Sequence, residues 1–294
     1  MRMRMRFRMD SGLMDALVEP VSAVDPASWR FALDEAKSKL AGLAVRRAGA
    51  TRFRVTDHEV RTALRSDTDN PGHDDPFTWT ALTARRSIGV AAVRLLAAGT
   101  ARSPLEAVRS RLAESSRWVR DGSSSASQLD RWVDSLSPAG RAVVGAEAVT
   151  WATRLWCALD WTVFPAPPVV GRDHWWDSPH SALLALRGRA DVRTADVHLV
   201  VLSGPRRGSV RAELSLVTLV ESLRLRDQDR PGRVVGWWPD SGHLVRVEPE
   251  PAALTLGADA VELAIGGTAT SLRSGRPLRS ATSLGSAASL RSAA

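Results

Sequence analysis

Few side chains in this sequence stand at spacings that could do chemistry, and most have a plainer use. His174, Asp177 and His180 in "HWWDSPH" bring two imidazoles and a carboxylate close together, a donor set that could hold a metal. Pro179 and the two tryptophans in the same stretch favour a loop or hairpin instead. The acids of "DTDNPGHDD", Asp67 to Asp75, are spaced somewhat like a calcium loop. That pattern fails, because Pro71 takes a ligand position and Thr78 replaces the closing glutamate. The reading is an exposed acidic loop. Cys157, the single cysteine, sits in an apolar helix and reads as a core thiol; alone it makes neither an internal disulfide nor a cysteine cluster. No G-x-S-x-G, P-loop or dinucleotide fingerprint occurs. The chain has 11 tryptophans and no tyrosine, and most of the tryptophans read as core. Trp237 and Trp238 are neighbours in a strand and so point to opposite faces. That would leave one of them free to stack a base beside an arginine.

The elements that must position these groups follow from local signals. Asp25-Pro26 is an N-cap followed by proline at the first helical position, opening a helix to about Arg47. Thr56 and Glu59 form a capping box before a short helix. "TWTALTARRSIGVAAVRLLAAG" is a long helix closed by Gly99. Ser103-Pro104 opens another, and "DGSSSAS" is a link. A short helix with Trp132 follows, then one from Pro138 to about Leu159. After Pro165 the pattern changes. "ALLALRGRADV" and "VHLVVLSG" read as two strands joined at "RTAD", "VRAELSLVTLVESLRL" as a helix, "GRVVGWWP" and "GHLVRVEP" as two strands, and "AALTLGADAVELAI" as a closing helix. A further strand is expected within 167–172. The fold class is α/β (α+β): a helical front followed by a small mixed sheet flanked by helices. Several strands are apolar throughout, as in a sheet covered on both faces.

Four segments are expected. Residues 1–24 form a disordered leader, with Met9 or Met14 as alternative starts. Residues 25–140 are helical, 141–266 form the mixed core, and the Ser/Ala/Arg-rich stretch 267–294 is disordered.

The order of elements and the residues on them resemble the PD-(D/E)XK nuclease superfamily, in particular its RecB-like branch. The likeness runs from about Glu147 to Glu248. Gly188-Arg189-Ala190-Asp191 matches the family's "G-R-x-D", and "AEAVTW" supplies Glu147 as an upstream acid. "VLSG" stands where the family has "D-x-K-t-G", and "ELSLV" where it has "Q-x-x-x-Y". The resemblance implies a Mg²⁺ ion held by Asp191 and Glu147, which lowers the pKa of a bound water beside the scissile phosphate. The sequence departs from that pattern where it matters most. The second carboxylate falls on Val200 or Val201, and the lysine on Leu202 or Ser203. The only lysines are Lys37 and Lys39, in the first long helix. Asp196 shares the face of Val200 but lies about 13 Å along the strand. Glu213 could lean over the sheet end, and Arg206 or Arg207 could bring positive charge, though an arginine cannot replace a lysine that transfers a proton. A plainer use for Asp191 is pairing with Arg189 or Arg193, and for Glu147 a place on a helix surface.

Composition bounds the rest. The net charge of +8 comes almost entirely from arginine and favours contact with a polyanion. An arginine-rich, lysine-poor composition suggests a GC-rich bacterial genome. No apolar run reaches the roughly 18 residues a membrane helix needs, so a cytoplasmic chain is expected. Three functions are weighed. The first is a catalytically impaired RecB-like protein, binding nucleic acid through Arg189, Arg206 and Arg207, or serving as a structural subunit beside protein partners of a DNA-repair or defence system. The second is an active Mg²⁺-dependent nuclease using Asp191 with Glu147 or Glu213. The third is a protein-interaction scaffold. Whether the chain is an enzyme is left open.

Overall fold

The computed structural model describes residues 11–21, 23–46, 53–64, 79–164, 166–179, 184–225 and 231–273. The acidic stretch Asp67 to Asp75, His180 and most of the two expected tails lie outside them. Within the expected leader, residues Ser11–Val18 form a helix, α1, whose Leu13 and Ala16 are fully buried. Arg233 draws this segment onto the sheet by donating to the carbonyls of Ala16, Glu19 and Pro20. The leader is therefore not disordered from Ser11 to Pro20. Its small apolar face finds cover only from residues far along the chain.

The helical front follows its caps. Asp25 accepts from the backbone of Ala27 and Ser28 at the start of α2 (Pro26–Arg46). A short strand, β1 (Phe53–Val55), precedes α3 (Asp57–Leu64), where the Thr56 amide and hydroxyl both donate to the Glu59 carboxylate and the Thr56 hydroxyl oxygen accepts from the His58 amide. Thr80 caps α4 (Ala81–Ala97), which ends before Gly99 at φ +69. Ser103 caps α5 (Pro104–Arg120), Ser127 caps α6 (Gln128–Ser135), and Ser137 caps α7 (Pro138–Ala158). Each hydroxyl or carboxylate satisfies an amide that the helix itself cannot.

The strands are β2 (Val169–Val170), β3 (His174–Asp177), β4 (Leu184–Gly188), β5 (Val192–Arg193) and β6 (Val197–Val201). After α8 (Val210–Arg224) come β7 (Arg233–Trp238), β8 (His243–Val247) and α9 (Pro251–Arg273). The closing helix thus runs past the expected boundary at 267. The structure is mixed α/β with two small sheets rather than the one expected. One has the order β1-β4-β3, with β1 parallel and β3 antiparallel to β4. The other has the order β2-β5-β6-β7-β8. Only β6 and β7 are parallel in it, joined by the α8 crossover.

The stretch "ALLALRGRADV", expected as one strand, is split by "RAD". β4 ends at Gly188 in the first sheet and β5 begins at Val192 in the second. Asp191 stands at that switch. Its amide donates to Leu199 of β6, and its carbonyl accepts from Gly171.

The five-stranded sheet is covered on both faces. Val197, Leu199, Val201, Val235 and Trp237 pack against α1, α4 and α7. Val200, Val234 and Trp238 face α8 and α9. Trp237 and Trp238 do point to opposite faces, but both are buried, so neither stacks a base. From Ala212 to Ser222, α8 is buried on every side, packed between both sheets and α9. The expected boundary at 140 does not separate two bodies. The core that holds α2, β1 and α3 also holds β4, α8 and α9, while α7 packs on α4.

Candidate nucleic-acid interface

The ends of β4 and β6, the start of α8, α3 and the first turns of α4 meet at one polar cluster. Asp191 is fully buried at its centre. Its Oδ2 accepts the Val201 amide at 2.8 Å, and its Oδ1 lies 2.7 Å from Nη2 of Arg86 on α4. Arg189 is 3.8 Å away and also donates to the Val201 carbonyl. Asp57, in the first turn of α3, accepts from Arg61, Arg187 and Arg189. Burial alone would raise its pKa, but those guanidiniums hold it far below the usual carboxylate range. At the first turn of α8, Glu213 accepts from Arg61, Arg207 and Ser209. Here too burial pushes up, and the three donors win, leaving the carboxyl below its ordinary value.

Asp191, Glu213 and Glu147 are each held by arginine. Glu147, half-exposed on α7, pairs with Arg85 at 3.2 Å, one residue before the arginine that holds Asp191. Glu147 does share a narrow cleft with Leu202 and Ser203, the positions that stand for the family's lysine. The three carboxylates do not meet. Among the described residues, no group of three His, Cys, Asp or Glu side chains is placed to hold a metal ion. The donor set as it stands does not fit Mg²⁺. Asp191 is fully buried, with Oδ2 accepting an amide and Oδ1 against the Arg86 guanidinium but without a hydrogen bond among the described residues, and β6 carries no carboxylate and no lysine. Asp196 lies at the other end of β6, beside Thr194 and Ala195.

Arginines outnumber carboxylates in this cluster. Arg61, Arg86, Arg187, Arg189 and Arg207 face Asp57, Asp191, Glu213 and Asp173. The Nε–H groups of Arg86, Arg187 and Arg189 are buried with no acceptor among the described residues. Burial and the neighbouring Arg189 push the Arg86 guanidinium down, against the pull of Asp191; a guanidinium still keeps its proton.

The cluster opens onto an open groove of about 750 Å³ at the start of α8. Arg61, Arg207 and Arg211 line it, with Ser203, Gly204 and Ser209 from the turn after β6. Gly204 has φ +76, a backbone state that other residues rarely adopt, and this lets the chain turn back into the helix. Arg206 is exposed on the same turn. On the other side of the cluster, Trp175 of β3 is 42% exposed, and the Arg187 guanidinium lies 5.8 Å from its ring centre. Sequence reasoning missed Trp175, Arg61 and Arg86. The only hint was the pairing of aromatic and basic types, because the elements that carry them are far apart in the chain.

No protein-family model, curated protein or solved structure matches this chain.

Residues His174–Asp177 of "HWWDSPH" form β3, paired antiparallel with β4. Nδ1 of His174 sits 2.8 Å from Glu221, near the far end of α8. Glu221 is also held by Arg193 at 2.6 Å. His198 of β6 is buried near this second cluster, and burial lowers its pKa to about 4. Cys157 is half-buried with its thiol pushed up by burial, as a packing thiol would be.

Proposed function

We propose that this chain binds nucleic acid through the arginine-lined groove at the start of α8 and does not cleave it. It would then serve as a nucleic-acid-binding or structural member of a DNA-processing system with a RecB-like frame. What carries this reading is the replacement of a metal-binding arrangement by guanidiniums at the sheet end. Arg61, Arg207 and Arg211 line an open groove there, and Trp175 lies exposed across the cluster. Guanidiniums recognise phosphate oxygens in pairs, and the positive end of a helix adds to the same field. An exposed tryptophan beside an arginine suits an unpaired base, which favours single strands. The net charge of +8 brings polyanions to the surface.

Binding and cleavage are tested together, on single- and double-stranded DNA with Mg²⁺ or Mn²⁺. The expected result is binding without cleavage, with affinity falling steeply as salt rises. Arg206→Glu with Arg211→Glu, both exposed, should lower affinity on the order of tenfold and reduce the salt slope by about 2. Trp175→Ala should weaken single-strand binding by about 1 kcal/mol or more and duplex binding less. Cleavage that disappears in Asp191→Asn would overturn the non-catalytic reading. Absence of binding even at low salt would leave the scaffold.

A further inference from the structure

Beside the cleft that holds Glu147, with Thr150 common to both, α5 and α7 leave an open furrow between them of about 880 Å³. Its floor is apolar: Leu105, Leu112, Leu136 and Val149 line it, with Ala142 and Ala146 exposed on the α7 wall. Leu105 alone is 46% exposed. The furrow runs on past Leu112 and Arg141 into a second hollow lined by Arg117 and Arg120. Arg109 completes the rim. No aspartate or glutamate lines either hollow. Arg109, Arg117 and Arg120 have no carboxylate within ion-pair distance among the described residues. Arg141 has one, Asp134, and also holds Ser116.

We infer that this furrow docks an amphipathic helix of a protein partner, with apolar side chains on one face and carboxylates along its edges. Two roughly adjacent helices with an apolar groove between them offer a third helix the packing of a small bundle. The arginine rim decides the charge of that helix. An acidic edge gains charge-assisted hydrogen bonds to guanidiniums that lack partners, and a basic edge is repelled. The same argument disfavours the chain's own arginine-rich stretch 267–294 as the occupant. It also disfavours a second copy of the furrow itself, since two such rims would meet like charge with like.

The probe is a fluorescent peptide of about 18 residues, ~27 Å long as a helix, with leucines at 3–4 spacing and glutamates on its other face. Matched peptides carry lysine or glutamine in place of glutamate, and a further one carries residues 267–294. Anisotropy is expected to show the glutamate peptide binding at least tenfold tighter than the other three. Ala146→Glu, at an exposed position on the wall, should reduce that binding at least tenfold. Arg117→Glu with Arg120→Glu should do the same, while Arg117→Lys with Arg120→Lys should stay within about threefold. Melting followed by circular dichroism checks that each variant is folded. Equal binding of the four peptides, or no effect of these variants, overturns the inference. So does tighter binding of the 267–294 peptide, or a concentration-dependent dimer in sedimentation that Ala146→Glu abolishes. Loss of DNA binding in Arg117→Glu with Arg120→Glu would make the furrow a nucleic-acid surface instead. DNA affinity unchanged in these variants supports two separate surfaces.

Discussion

Charged side chains here are buried in pairs, and pairing changes what each can do. Asp191 is the clearest case. This carboxylate has no exposed surface; one oxygen accepts an amide and the other lies against Arg86, so removing that arginine would leave a buried charge without its nearest partner. His198 is the contrasting case, a buried imidazole held neutral, with a pKa lowered to about 4. In the unfolded chain it titrates near 6.5. Its neutral form is favoured by folding, so its contribution is complete above pH 6.5 and is lost as the pH falls from there to about 4. The difference corresponds to about 3 kcal/mol at most. Urea unfolding of the wild type between pH 7 and 4.5 should show that loss. His198→Leu should flatten the profile in this window and leave the steeper fall below pH 4 in place. That lower fall belongs to depressed carboxyls such as Asp130, held at about 2 against its burial by Ser127, Ser115 and Arg111.

At the element scale, α8 and α9 pack closely at Gly257. A Cβ added at Gly257 of α9 would stand 2.6 Å from the carbonyl oxygen of Ser215. Glycine to alanine inside a helix ordinarily gains up to about 1 kcal/mol. At Gly257 the new methyl meets backbone that cannot step aside, so Gly257→Ala should cost about 1–3 kcal/mol. Gly42 in α2 has nothing within 4 Å of the same added atom. Gly42→Ala should therefore stabilise by about 0.5–1 kcal/mol. Thermal unfolding of the two variants side by side reads the opposite signs. A loss at both positions would mean that the α8–α9 crossing is not the reason.

At the scale of the whole molecule, the front of the chain is woven into the back. β1 pairs with β4, α2 and α3 pack against α9, and Arg61 reaches Glu213 across 152 positions of sequence. Cutting at residue 140 would strip one edge strand from the first sheet and remove α1 and α4 from one face of the second. The fragment 141–294 is accordingly expected to show no cooperative unfolding transition alone. Addition of the fragment 1–140 should restore one. A cooperative transition in the isolated fragment would restore the boundary that composition suggested.

The helix starts at Asp25 and Ser103 are legible in the sequence because capping is local and each acts within three residues of itself, whereas Thr80 and Ser127 cap helices where the sequence reads as helix interior or link. The burial of β6 and β7 is legible because an unbroken run of apolar residues needs cover on both sides. The stretch "HWWD" reads as a loop or hairpin from Pro179 and the tryptophans, and it pairs as β3 with β4. The break at "RAD" is not legible, because Arg189 and Asp191 read as the continuation of a strand until two different sheets claim the residues on either side. Nor is α1, whose few apolar residues count for little until Arg233 and the sheet face receive them. The sequence alone determined the mixed α/β class, the helix starts at Asp25 and Ser103, the strands covered on both faces and the absence of a carboxylate or lysine from "HLVVLSG". Only the tertiary structure decided that Asp191, Glu147 and Glu213 go to separate arginines, because ion pairing depends on which side chains meet in space.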